Sequence, residues 1–114
     1  MANLPNEMLT EIFEIQRQLL QITHQATELE LIILEQFGET EATITELDEI
    51  QNVKERASSY YTRLYRLLLQ IFRSQPVADS ATLNLLSKSL TQTQAIADAG
   101  RASLTEIKRN WNLL

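Results

Sequence analysis

Glu11-x-x-Glu14 and Glu46-x-x-Glu49 each set two carboxylates one helical turn apart, a spacing at which paired acids can hold Mg²⁺ for phosphate chemistry. His24 is the single histidine of the chain. An imidazole on an exposed helical face is the acceptor that a phosphotransfer reaction needs. Arg56, Tyr60, Tyr61, Arg63, Tyr65, Arg66 and Arg73 mix cations with aromatic rings, the combination that grips phosphates and stacks on bases. Serine and threonine are common in the last third, but no histidine stands there to activate them.

Each constellation has a plainer explanation. All-α nucleoside-triphosphate pyrophosphatases hold Mg²⁺ with paired glutamates, but they add a doubled acidic motif and a downstream aspartate that this chain lacks. The two glutamate pairs also fall near opposite ends of any bundle, so a solvated acidic face is expected and no metal site. His24 has no Glu-x-x-His before it, which removes a di-iron bundle. Phosphotransfer domains place a lysine and a small residue soon after their histidine; here Gln25-Ala26-Thr27-Glu28 follow, and an inert surface histidine is expected. A metal-dependent nucleotide hydrolase and a histidine phosphotransfer domain are therefore the enzyme-class alternatives to a non-catalytic protein.

What positions these residues is a set of three apolar seams. Met8, Ile12, Ile15, Leu19, Ile22, Ala26, Leu29 and Ile33 step by alternating fours and threes without a break. Ile50, Val53, Ala57, Tyr60, Leu64, Leu67 and Ile71 do the same, as do Leu83, Leu86, Leu90, Thr93, Ala97, Gly100, Leu104, Ile107, Trp111 and Leu114. The seams predict helices over about 4–37, 41–74 and 80–110, each of roughly thirty residues and about 45 Å long. Asn3 and Pro5 suit a helix start, Gly38 a left-handed C-cap, and Thr43-Ile44-Thr45-Glu46 a capping box. Pro76 stops the second helix near Ser74, and Asp79 or Ser80 can cap the third. Connections this short force antiparallel neighbours. The predicted fold is a single all-α domain over residues 1–114, an up-down-up three-helix bundle with coiled-coil-like packing.

Composition narrows the classes further. A chain of 114 residues has room for one domain with a real core. Cysteine is absent, which removes disulfides and thiolate metal sites, and no cofactor is expected. The N-terminal residues lack a basic region with an apolar stretch, and the longest aliphatic run is Leu31 to Leu34, so neither a signal peptide nor a membrane span is expected and a cytoplasmic setting is. Net charge is −5, but residues 1–50 carry −10 and residues 51–114 carry +5. Reflection about the turns brings Arg66 and Arg73 level with Glu7, Glu11 and Glu14, and Glu46 and Glu49 level with 105–108. The asymmetry is expected to be satisfied mostly inside the fold.

The seams differ in width. Leu9, Phe13, Leu20 and Leu34 broaden the first, and Tyr61, Leu68, Tyr65 and Phe72 broaden the second, giving each helix an apolar arc of roughly 160°. The third helix is flanked by Ser87, Gln94, Arg101, Lys108, Asn84, Thr91, Asp98 and Thr105, and can cover one groove of the hairpin. Apolar surface is left over. Phe13, Leu20, Leu34, Tyr61, Tyr65, Leu68 and Phe72 are the expected interface of a helical interaction module that dimerises or receives a helix from another protein. In helical phase the tyrosines turn inward and the arginines to the rim, so nucleic acid is not an expected partner. Trp111 keeps the phase of the third seam and is expected to be buried beside Ile33 and Phe37. Ala57 and Ala97 fall level with each other, and Gly100 is expected to mark a close backbone approach or a bend.

Overall fold

A computed structural model describes residues 6–73 and 80–114. Three helices account for nearly all of them: α1 (Asn6–Phe37), α2 (Glu41–Arg73) and α3 (Ser80–Asn110). All three pairs of helices touch, in a rod of 55 × 19 × 17 Å. The fold is an all-α three-helix bundle, up-down-up, as the seams predict. The caps expected at Asn3 and Asp79 and the stop near Ser74 and Pro76 lie outside the described residues. Ser80 is the first residue of α3 and not its cap.

The seams are the core. Every position from Ile12 to Ile33 of the first seam is buried, as is every position from Ile50 to Ile71 of the second except the half-buried Tyr60. On α3, Leu86, Leu90, Thr93, Ala97, Leu104 and Ile107 are buried and Gly100 is half-buried. Thr93 enters this core without cost in unmet polarity, because its hydroxyl donates to the Ser89 carbonyl at 2.6 Å.

The first turn is locked by a threonine pair. Gly38 ends α1 in the left-handed region (φ 72°), its N–H donating to the carbonyls of Leu34 and Ile33. Thr40 then caps α2: its hydroxyl accepts from the Thr43 N–H at 3.2 Å, and the Thr43 hydroxyl accepts from the Thr40 N–H at 2.8 Å. The capping box therefore stands three residues before the expected Thr43–Glu46. Thr43 is also fully buried and donates to the Gly38 carbonyl at 2.8 Å, so one hydroxyl closes the turn and begins the seam that Ile50 continues. At the far end of α3, Asn112 takes φ 56°, with Leu113 N–H bonded to Lys108 O and Asn112 N–H to Arg109 O, a Schellman closure.

Polar contacts also join the helices. Lys54 Nζ meets Glu30 Oε1 at 3.1 Å between α2 and α1. Gln18 Oε1 accepts from Gln94 at 3.1 Å and from Arg101 at 3.2 Å, tying α1 to α3. The expected internal complementarity is otherwise not realised as contacts. Among the described residues Lys54–Glu30 is the one ion pair that crosses between helices; Arg17–Glu14, His24–Glu28 and Arg101–Asp98 each stay within one. Level is not direction: the arginines of α2 and the acids Glu11 and Glu14 of α1 both turn toward α3, at opposite edges of the bundle.

Gly100 has no close approach to justify it. A Cβ built there would meet Ile22 Cγ2 at 3.4 Å and Val53 Cγ1 at 3.5 Å, ordinary contact distances. The neighbouring void, lined by Leu19, Ala57 and Ala97 among others, is about 20 Å³, too small for a ligand. Alanine at 100 is therefore expected to stabilise the fold by roughly 0.5 to 1 kcal/mol through helix propensity alone. A lower melting temperature for Gly100→Ala would contradict the geometry. Thr43→Val keeps the volume but strands the Thr40 N–H and the Gly38 carbonyl, and a loss of roughly 1 to 2 kcal/mol in urea unfolding is expected. Valine at parity with threonine would show that water replaces both bonds.

Candidate protein interaction face

Helical phase divides the bundle into three long faces of different chemistry. Between α1 and α3 the rim is acidic and amide-rich, with Glu11, Glu14, Thr91 and Gln94 around one shallow groove. Between α2 and α3 lie Arg56, Arg63 and Arg66, with Glu55 beside them on α2, and toward the other end Glu46, Glu49 and Glu106 line a groove. The α1/α2 face differs from both. Among the described residues Glu30 and Lys54 are the charged side chains in its helical phase, and they are bonded to each other.

This neutral face holds most of the bundle's exposed apolar mass. Phe13 (55% exposed), Leu20 (57%), Tyr65 (50%) and Phe72 (59%) stand on it toward the end where α1 begins and α2 finishes. Leu34 is exposed toward the opposite end. Tyr61 and Leu68 are half-buried and pack against the core beneath the strip. Leu20 and Tyr61 line the same small groove of about 220 Å³, together with Thr23, Ser58 and Thr62. All seven expected interface residues thus share one face, five as its surface and two as its floor. Sequence reasoning missed Ile44, which is exposed on α2 in the same phase as Tyr65 and Phe72. Its place inside a supposed capping box hid it. Leu31 and Leu69 border the face and are exposed too.

The residues that suggested catalysis are not brought together. His24 is exposed and faces only Glu28, its Nε2 2.7 Å from Oε1. Glu14 is held by Arg17, whose hydrogen bonds keep its carboxyl below the ordinary carboxylate range. Glu46 and Glu49 lie on another groove near the opposite end of the rod. Among the described residues no three of His, Cys, Asp and Glu stand close enough to hold a metal ion. The basic and aromatic set also divides: Arg63 sits over the Tyr60 ring at 4.5 Å, while Tyr61 and Tyr65 turn toward α1. An open depression of about 920 Å³ lies along α2, lined by Ser58, Ser59, Thr62 and Arg66 and bordered by Thr23 of α1 and Leu85 of α3.

Trp111 is half-buried where full burial was expected. It follows the last residue of α3, so one side of the indole stays open, while the other meets Phe37 with ring centroids 4.8 Å apart at 54°. No described helix is long and apolar enough to cross a membrane. No family model, curated protein or solved structure matches the chain. The site must therefore be read from its own chemistry.

Separated glutamate pairs on solvated faces give divalent metal nothing to organise. The melting temperature is expected to stay the same with and without millimolar Mg²⁺, in the parent and in a Glu11→Gln, Glu14→Gln variant alike. A Mg²⁺-dependent rise in the parent that the variant abolishes would restore the hydrolase reading.

Proposed function

We propose that this chain is a non-catalytic helical interaction module, working in the cytoplasm, whose α1/α2 face packs against helices of a second protein surface. The observation that carries the reading is the conjunction on one face of exposed Phe13, Leu20, Tyr65 and Phe72 with no unpaired charge among the described residues. Phe13, Leu20, Tyr65 and Phe72 are exposed there at roughly 100 Å² each, on the order of 400 Å², the size of the largest apolar patch on a typical monomer and often a functional one. Depletion of charge together with enrichment in Tyr, Phe and Leu is the composition of an interface core. Two antiparallel helices with a groove between them are a natural seat for further helices.

Photo-crosslinking tests this. With p-benzoylphenylalanine replacing Phe13 in cells that express the protein, a discrete protein adduct is expected, and mass spectrometry identifies it as this chain or another. The same group at Ala102, on the outside of α3, is expected to give none. Phe72→Lys is expected to abolish the adduct while circular dichroism stays helical, because the ring is more than half exposed. Absence of any adduct at Phe13 above the Ala102 control would defeat the reading.

A further inference from the structure

We infer that the occupant of the α1/α2 face is a second copy of this chain, related by a two-fold axis parallel to the helices. The inference rests on the interaction-module reading and adds the partner's identity and orientation.

Area is the first argument. The chain exposes 7366 Å². A compact monomer of 13.1 kDa is expected to expose about 6,400 Å². A rod of 55 × 19 × 17 Å presents long faces, and one of them is large enough to give up the ~800 Å² that each partner loses in a standard interface.

Charge chooses the copy and its direction. A face with no net charge meets itself without repulsion. The strip also has internal structure: an aromatic cluster of Phe13, Tyr65 and Phe72 toward one end with Leu20 near the middle of α1, Leu34 and Ile44 toward the other end, and Glu30 and Lys54 between them. A two-fold axis parallel to the rod lays α1 over the partner's α2 at equal height. Aromatic cluster then meets aromatic cluster, and the two Glu30–Lys54 pairs close into a ring of four charges alternating in sign. An axis perpendicular to the rod reverses heights and sets each buried ion pair against uncharged side chains, where its desolvation is uncompensated. In the parallel case the centre is a four-helix bundle in which every neighbour is antiparallel.

The chain contains no cysteine, so introduced thiols report position without background. Light scattering on the purified chain at micromolar concentration is expected to give twice the 13.1 kDa chain mass, and Phe72→Lys to halve it while circular dichroism stays helical. A short bis-maleimide is then applied to mixed chains, Phe13→Cys with Phe72→Cys, and separately Phe13→Cys with Leu34→Cys. The first mixture is expected to cross-link between chains and the second is not. A strict monomer, or a dimer that links 13 to 34 instead of 13 to 72, overturns the inference. A monomer whose Phe13 photo-adduct still carries a different protein leaves the interaction module standing with another partner. Loss of both the dimer and the adduct removes the module as well.

Discussion

Drying three apolar seams at once is the constraint on which the rest of this molecule depends. Residues alternating by threes and fours occupy one stripe of a helix, and a stripe of Ile, Leu and Ala cannot stay in water when each buried Leu or Ile contributes about 1.5 to 3 kcal/mol. Two helices leave each stripe half open. The third closes them, and Ile12, Leu19, Ile33, Ile50, Leu64, Ile71 and Leu86 become essentially inaccessible. The rod shape, the antiparallel order and the placement of every polar group follow from this closure.

The closure is asymmetric because the stripes differ in width. α3 carries amides, hydroxyls and charges beside its seam, and these can only face solvent or the acid and amide groups of α1, as Arg101 and Gln94 do with Gln18. α1 and α2 carry Phe, Leu and Tyr beside theirs. Once α3 has taken its groove, the surplus is driven to the opposite face, where Tyr61 and Leu68 sink against the core and Phe13 and Phe72 do not. The exposed apolar face is thus the geometrical remainder of the core.

Polar groups at the helix ends keep this arrangement in one register. The Thr43 hydroxyl serves the Thr40 N–H and the Gly38 carbonyl together, and no buried side-chain polar atom among the described residues lacks a partner. Such full satisfaction matters more than the strength of any one bond, since each stranded group costs about 1 to 3 kcal/mol. The surface ion pairs Arg17–Glu14 and Arg101–Asp98 are exposed and contribute little by comparison.

Helix count, helix limits, the core and the topology were legible in the sequence because periodicity and chain punctuation are local. Seam membership alone identified Ile12 to Ile33 as buried, residue by residue, and the broader arcs identified Phe13, Leu20 and Tyr65 as surplus. Other features were not legible. Whether Glu46 or Thr43 would answer a capping threonine depended on where the turn let α2 begin. Whether arginines level with glutamates would pair depended on the angle at which each left its helix. Whether Gly100 lay against a backbone depended on the spacing between axes, and whether Trp111 was covered depended on how far Phe37 reached across the end of the rod. Sequence by itself determined the periodic pattern and hence the elements, since hydrophobic phase is a property of each segment alone. Only the tertiary structure decided direction, distance and which face was left bare, since these are set by the packing of three helices against one another.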